Sequence, residues 1–161
     1  MGGTTNAIGG VFYSLYQHPE AIRVLQSEPE LVTSAVAEAQ RWHSGSYMTF
    51  PRFAQCDTEV GGTKILKGMV VRISSQAVHY DPTVYDNPLE FDVRRNPRIV
   101  AFGSGPHACL GFFLARSLMR IAVEQLITRF PDARLENPDM PVTYSGSVGE
   151  LRVKSLPMLT Q

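Results

Sequence analysis

The feature that most constrains this chain is a glycine-rich loop that contains a cysteine and leads into a long amphipathic helix. The loop, residues 101–111, reads Ala-Phe-Gly-Ser-Gly-Pro-His-Ala-Cys-Leu-Gly. Glycine adopts backbone conformations that other residues avoid, so backbone amides of this loop can approach the sulfur of Cys109. The start of the helix adds unpaired N–H groups and a positive dipole end, which favour a thiolate over a thiol. The loop therefore predicts a thiolate that can ligate a metal.

The residues after Gly111 predict one long helix that ends at Pro131, because proline cannot continue a helix. Its apolar residues recur at helical spacing and define one face: Met119, Ala122, Val123, Leu126, Ile127 and Phe130. Arg116, Arg120 and Glu124 define a polar face. We expect the apolar face to pack on a core and the polar face to meet solvent.

The first third of the chain predicts three further helices. An apolar helical stretch covers residues 4–17, and Pro19 opens a second, short helix because proline is tolerated in a first turn. Ser27 and Glu30 have the spacing of a capping box, which predicts a third helix that runs to Trp42.

From residue 50 onward the pattern changes to short strands and turns. Residues 59–65 predict a hairpin with a Gly-Gly turn, and the β-branched residues of 69–74 predict a strand. Prolines and turn residues over 81–98 predict a loop. Two more strands are expected near Val142-Tyr144 and Glu150-Val153, and they would form a final hairpin.

Composition and charge narrow the class of protein. Of 161 residues, 43% are hydrophobic and 19% are charged, as in ordinary globular proteins. No linker or repeat divides the chain, so we expect residues 1–161 to form a single unit that is mainly α with small β-sheets, an α+β fold. Fifteen basic and fifteen acidic residues cancel, which gives no electrostatic case for a nucleic acid or membrane partner. Short apolar runs, no signal peptide and two separate cysteines, Cys56 and Cys109, predict a cytoplasmic protein, with a single disulfide between the two cysteines as the alternative.

The residues around Cys109 resemble the haem-binding loop of the cytochromes P450, the haem-thiolate monooxygenases. The shared pattern is Phe102-Gly103-x-Gly-x-His107-x-Cys109-x-Gly111. The resemblance implies that Cys109 is the axial ligand of the iron of haem b, iron protoporphyrin IX. It also implies that Phe102 packs on the ligand side of the haem and that His107 reaches a propionate. Gly103 and Gly111 belong to the same cofactor-binding loop, and Gly111 would let the helix lie close to the flat macrocycle.

Two other interpretations of Cys109 are open. It could be a buried, inert cysteine in a turn, because cysteine is among the residues most often buried. His107 and Cys109 could instead belong to a zinc site, but structural zinc needs four close ligands, and Cys56, His43 and His79 are scattered singly.

Glu38 and Arg41 stand three residues apart and therefore share one helical face. Such pairs are common on solvated helices. In a mostly apolar segment upstream of the cysteine loop, this pair resembles the Glu-x-x-Arg pair of the cytochromes P450, which is buried and supports the haem loop. The resemblance implies a third member, an arginine from the segment before the loop. Arg95 fits best, and Arg94 is the alternative.

Two more features continue the resemblance. Arg52, in Pro51-Arg52-Phe53-Ala54, falls where a family arginine grips a haem propionate, a task that suits its planar fork, although it could equally be a surface arginine. His79 is expected to be a packing residue rather than a ligand.

The first predicted helix resembles the end of the family's distal helix, which carries an acid and a threonine for proton delivery. Counted without gaps, these two positions fall on Gly2 and Gly3. A shift of one or two residues brings Thr4 or Thr5 to the threonine position, with no acid beside it. Thr4 is therefore the candidate catalytic residue, and an ordinary helix-opening threonine is the alternative.

The resemblance covers nearly the whole chain but only about the last two-fifths of a full family member. It implies the haem-binding C-terminal part of a monooxygenase that inserts one oxygen atom of O2 into a small organic substrate. A ferredoxin or flavin reductase would donate electrons, and Arg116 and Arg120 would form a basic stripe for an acidic redox protein. The N-terminal half of the fold would be a further partner, without which we expect weak haem binding or none.

Two alternative functions are open. A non-catalytic haem-binding fragment would give the same thiolate spectrum but form no product. A decayed remnant would bind no haem, and Cys109→Ser would then change neither spectrum nor stability.

Overall fold

A computed structural model describes residues 2–146, 149 and 151–160 of the chain. Within these residues the backbone forms five α-helices: α1 (Gly2–Tyr16), α2 (Pro19–Ser27), α3 (Val32–Trp42), α4 (Ser75–His79) and α5 (Phe112–Arg129). Single 3₁₀ turns lie at Pro29–Leu31 and Gly105–His107. Among the described residues, no helix has both the length and the apolar character that a membrane span requires.

The strands are short and pair antiparallel in twos. The four pairs are β1 (Arg52–Phe53) with β4 (Val70–Val71), β2 (Thr58–Val60) with β3 (Thr63–Ile65), β5 (Arg134–Leu135) with β8 (Met158–Leu159), and β6 (Tyr144–Ser145) with β7 (Arg152–Val153). The predicted class, mainly α with small β-sheets, is therefore confirmed. Glu150, where we expected the last hairpin's second strand to begin, lies outside the described residues.

The core lies among α1, α2, α3 and α5. Its buried apolar members include Val11, Leu15, Leu25, Val32, Ala35, Met119 and Val123. Helix α1 approaches α3 closely at Gly10, where a Cβ atom would stand 2.6 Å from Cδ2 of His43. The hydroxyl of Ser14 bonds to the Gly10 carbonyl at 2.9 Å, so this polar group is satisfied inside the core.

The predicted capping box at the third helix is wrong. Ser27 is the last residue of α2, and its hydroxyl donates back to the carbonyls of Arg23 and Val24 at 3.2 and 3.0 Å. The cause is Pro29, which disfavours the helical conformation in the residue before it. Glu28 accordingly lies at φ −131°, ψ 71° and ends α2, and a 3₁₀ turn then leads into α3.

Between residues 50 and 100 the predictions are partly confirmed. The β2–β3 hairpin turns on Gly61 and Gly62, both at positive φ, as such two-residue turns require. The predicted strand over 69–74 shrinks to β4 because Ser74 instead caps the unpredicted helix α4. Its Oγ accepts from the Ala77 N–H at 3.1 Å.

Helix α5 buries a narrower face than we predicted. Ala115, Met119, Val123 and Ile127 are buried, whereas Phe130 is exposed. A second apolar face of α5, made by Leu114, Leu118 and Ile121, is exposed as well. These three residues follow one another at i, i+4 and i+7, so they form one continuous apolar stripe along the helix.

Candidate functional site

The cysteine loop is closed by its own backbone hydrogen bonds. The Cys109 N–H donates to the Phe102 carbonyl at 2.8 Å, and the Gly103 N–H donates to the Val100 carbonyl at 2.9 Å. Gly103 and Gly105 have φ of 74° and 70°, a region that residues with a Cβ atom rarely adopt. The glycines are therefore required by the path of the loop itself.

Cys109 lies three residues before the first residue of α5. The Phe112 N–H, the first of the helix, donates to the Cys109 carbonyl at 3.2 Å, and Gly111 is the N-cap residue. A Cβ atom at Gly111 would stand 3.8 Å from the Cys109 sulfur, which is ordinary contact. A side chain at position 111 would therefore not clash with the Cys109 sulfur.

The Cys109 thiol is exposed and forms no disulfide, and Cys56 is also free and exposed. The interpretation of Cys109 as a buried, inert cysteine is therefore wrong. The zinc interpretation also loses support, because the described part of the chain contains no group of three or more His, Cys, Asp or Glu side chains that could hold a metal ion.

The other three residues that the sequence predicts to contact haem are one packed ring and two unpartnered polar side chains. Phe102 is half-buried, packs against the core, and meets Phe112 edge to face with 5.0 Å between ring centroids. The side chains of His107 and of Arg52, on β1, are exposed, and neither has a hydrogen bond or ion pair with any residue that the structure describes. The structure does not join Arg52 to the loop.

Glu38 and Arg41 form a bidentate ion pair that is completely buried. Nε of Arg41 donates to Oε2 of Glu38 at 2.7 Å, and Nη2 donates to Oε1 at 2.8 Å. The guanidinium carbon lies 5.4 to 5.6 Å from the ring centroids of Trp42, Tyr80 and Tyr85. Aromatic faces attract a cation at this distance, which helps to compensate the loss of water.

Arg41 uses its remaining N–H groups on backbone carbonyls. Nη1 donates to the carbonyls of His79 and Pro88, both at 2.9 Å, and Nη2 donates to the Glu90 carbonyl at 3.1 Å. All five donors of the guanidinium are thereby satisfied. The buried guanidinium consequently binds two segments that are distant in sequence from α3, one at His79 and the other at Pro88 and Glu90.

Arg95 is the arginine that joins this pair. Its Nε donates to Oε1 of Glu38 at 3.2 Å, and its Nη2 donates to the carbonyls of Asn87 and Glu90, both at 3.2 Å. Arg94 instead pairs with Glu28 on the surface, where its hydrogen bonds lower the pKa of that carboxyl. The structure therefore brings Glu38, Arg41 and Arg95 together and leaves Arg94 outside.

His79 links this network to the loop, a connection that the sequence did not indicate. The residue is fully buried, its carbonyl accepts from Arg41, and its Nε2 accepts from the Val100 N–H at 3.0 Å. Burial, followed by the charge of Arg41, lowers its pKa to about 4. No local spacing predicts this contact, because Val100 lies 21 residues further along the chain.

Thr4 lies in the first turn of α1 and is half-buried. The first turn of α1 contains no acidic residue. The structure therefore supplies no acid partner for Thr4 within that turn.

Comparison with known proteins places this arrangement in a family. The family model of cytochrome P450 matches residues 1–149. The chain is 37% identical over 136 residues to cytochrome P450-terp of a Pseudomonas species, covering 84% of this chain and 32% of that protein. It is 35% identical over 156 residues to the biotin biosynthesis cytochrome P450 of Bacillus subtilis, covering 96% of this chain and 39% of that protein.

A solved structure agrees along almost the whole chain. Cytochrome P450 PksS of the bacillaene polyketide synthase of Bacillus subtilis superposes with a TM-score of 0.93 at 32% identity, over 99% of this chain and 42% of that one. The chain thus spans about a third to two fifths of the length of the relatives it matches. The chain belongs to the cytochrome P450 family.

Proposed function

We propose that this chain is the C-terminal, haem-binding part of a cytochrome P450 monooxygenase, in which Cys109 ligates the iron of haem b. One observation carries the proposal: an exposed, free thiol stands at the head of α5 in the loop that matches the family pattern. Residues 1–161 would act as a single unit, and a cytoplasmic location is part of the same proposal.

The residues present suit haem. Cys109 offers a sulfur beside the N-terminus of an 18-residue helix, which favours the thiolate. Arg52 and His107 have no partner among the described residues, so both are available for the two propionates. Gly111 leaves the surface beside the sulfur uncrowded, since even a Cβ atom there would stand 3.8 Å from it, and the half-buried ring of Phe102 is an apolar member of the same loop.

When bound, haem supplies the activation of dioxygen, because a thiolate ligand favours cleavage of the O–O bond. The chain's own residues would hold and orient the group. The backbone of the loop fixes Cys109, whose N–H is bonded to the Phe102 carbonyl. The buried network of Glu38, Arg41 and Arg95 would keep the segment before the loop in place. Thr4 stays a candidate for proton delivery to the distal side.

The experiment that tests this function is titration of the purified chain with haemin, followed by reduction under carbon monoxide. Thiolate ligation gives a red-shifted Soret band in that complex, and we expect this band in the wild-type chain at saturating haemin. Cys109→Ser should abolish the band, whereas Cys56→Ser, the matched exposed cysteine, should retain it. A red-shifted band that survives in Cys109→Ser would overturn the assignment. Absence of product with a reductase or with peroxide, despite the band, would favour a non-catalytic haem-binding role.

An electron donor is the second partner of the proposed function, a ferredoxin or a flavin reductase. A groove of about 200 Å³ lies between α3 and α5, lined by Thr33, Val36, Phe113, Arg116, Ser117 and Arg120. Arg120 is paired with Glu124, whereas the guanidinium of Arg116 lies over the face of Phe112, with its carbon 5.3 Å from the ring centroid. Arg116 is therefore the stronger candidate for an acidic redox protein. Arg116→Glu should slow reduction by the donor and leave the carbon monoxide spectrum unchanged.

The N-terminal part of the family fold is the third proposed partner. Leu114, Leu118 and Ile121 expose an apolar stripe on α5, and exposed apolar patches commonly mark protein contacts. The chain alone should consequently bind haem weakly, and tight stoichiometric binding would contradict this. Supplying the N-terminal part of a cytochrome P450 relative should raise the haem affinity, and Leu118→Glu should reduce that gain.

The substrate of the proposed reaction is a small organic molecule.

A further inference from the structure

We propose that His79 is a positioning residue that couples the buried ion pair of Glu38 and Arg41 to the cysteine loop. It acts through its neutral ring, in which Nε2 accepts the Val100 N–H and Nδ1 carries the proton. The inference rests on the proposed haem-thiolate function for its consequence at Cys109. The structural part of the inference, that His79 positions the cysteine loop, concerns the haem-free chain and does not depend on that function.

His79 makes one hydrogen bond to the buried ion pair and one to the start of the cysteine loop. On the side of the ion pair, its carbonyl accepts from Nη1 of Arg41 at 2.9 Å. On the side of the loop, its Nε2 accepts from the Val100 N–H at 3.0 Å. The ring is fully buried, so water cannot replace this acceptor. His79 is thus the described residue that bonds to both Arg41 and the start of the loop.

The hydrogen bonds continue from Val100 to the cysteine. The Val100 carbonyl accepts from the Gly103 N–H at 2.9 Å, which forms the first turn of the loop. The Phe102 carbonyl then accepts from the Cys109 N–H at 2.8 Å. The position at which Val100 is held therefore decides where the loop begins, and the loop decides where the Cys109 sulfur points.

The tautomer follows from the bond to Val100. A backbone N–H can only donate, so Nε2 must present a lone pair, and the proton of the neutral ring is on Nδ1. Nδ1 is buried without a hydrogen-bond partner among the described residues. An imidazolium has no acceptor nitrogen, and the pKa of about 4, lowered by burial and by the charge of Arg41, keeps the ring neutral.

The unpartnered Nδ1–H group helps to distinguish two possible roles of the His79 side chain, positioning of the loop and simple packing. Burial of an unsatisfied donor is unfavourable, and an apolar side chain of similar volume would fill the same space without it. What an apolar side chain cannot supply is an acceptor for the Val100 N–H. A packing role predicts that shape alone matters at residue 79, whereas a positioning role predicts that the acceptor matters.

The test compares His79→Gln with His79→Met in the full chain. The two side chains have nearly the same length and shape, and only Gln carries a strong acceptor near the position of Nε2. Hydrogen exchange of the haem-free chain reports the Val100 and Cys109 amides directly. We expect Met to speed exchange of both amides by at least about tenfold, and Gln to stay within about threefold of wild type. With excess haemin, Met should lower the fraction of the red-shifted thiolate band and Gln should retain it.

Each outcome decides the proposal. Equal exchange in the Gln and Met variants, whether fast or slow, would overturn it, because shape would then suffice. If the His79→Met variant does not fold, His79→Leu takes its place. If both apolar variants are unfolded and His79→Gln is folded, the result supports the need for an acceptor. An unfolded His79→Gln variant contradicts that need. If the wild-type chain shows no thiolate band but the variants show the expected differences in hydrogen exchange, the proposed haem function is wrong. The positioning role of His79 is then still supported.

Discussion

The Glu38 carboxylate and the Arg41 guanidinium meet in a fully buried, two-point ion pair, with Nε–Oε2 and Nη2–Oε1 distances of 2.7 and 2.8 Å. Oε1 of Glu38 also accepts from the Asp92 N–H at 3.1 Å and from Arg95. Because the pair has no access to water, each charge depends on the other and on these backbone groups for its solvation.

Removal of one partner from this pair should destabilise the chain strongly. Arg41→Met leaves the Glu38 carboxylate buried without its cation, and the free energy of unfolding should fall by about 3–5 kcal/mol. Denaturant titration followed by circular dichroism measures this. The matched control is Arg94→Met, which breaks the exposed pair with Glu28 and should leave the free energy of unfolding nearly unchanged, because water screens such a pair. Similar losses in the two variants would contradict the buried role of Arg41.

Cys109 should matter for ligation and not for stability. Its side chain is exposed and unpaired, so Cys109→Ser should change the free energy of unfolding of the haem-free chain by less than about 0.5 kcal/mol. The same variant should raise the dissociation constant for haemin. A large loss of stability without haem would mean that the thiol has a structural task that its exposure does not reveal.

The predicted Glu-x-x-Arg contact could be recognised because it is local. Residues at i and i+3 of a helix share a face, so the spacing of Glu38 and Arg41 is enough to place them together. For the third partner the sequence favoured Arg95 and left Arg94 as the alternative, because the side chains of these two neighbours point in different directions and spacing alone does not say which one reaches Glu38. The choice depends on the turn at Asp92–Arg95, where the Arg95 N–H donates to the Asp92 carbonyl at 3.1 Å.

Contacts between distant segments and competing turn signals limited the sequence-based predictions. The path of residues 81–98 brings His79 and Val100 together, and no periodicity in the sequence encodes that path. The capping-box pattern at Ser27 was overridden by Pro29 two positions later, which ends α2 at Ser27. Helix α4 has five residues, too few to show an amphipathic period, although Ser74 is a suitable cap.

The stability of the chain should fall as the medium becomes acidic, in part because of His79. Its pKa is lowered to about 4 in the folded chain, from an ordinary value of 6.5. Between these two values the unfolded state binds a proton that the folded state excludes. The contribution of His79 to stability is therefore constant above about pH 6.5 and is lost progressively toward pH 4, by about 3 kcal/mol in total.

His79→Gln is the variant that isolates this effect. It removes the titrating group, so the slope of unfolding free energy against pH between 4 and 6.5 should become shallower. Burial also lowers the pKa of His43, so a smaller slope of the same sign should persist in the variant. An unchanged slope would mean that His79 does not titrate between the two states in this range.

The close approach of α1 and α3 gives a matched pair of glycine substitutions within one helix. A Cβ atom at Gly10 would stand 2.6 Å from the His43 ring, which stacks on Tyr144 with 5.5 Å between centroids and so has little room to move. Gly10→Ala should therefore destabilise the chain by about 1–3 kcal/mol. At Gly3 of the same helix a Cβ atom meets nothing within 4 Å. Gly3→Ala should stabilise by up to about 1 kcal/mol, because alanine favours the helix. Thermal unfolding of both variants measures the difference, and equal shifts of the same sign would show that α1 does not pack on α3 at Gly10.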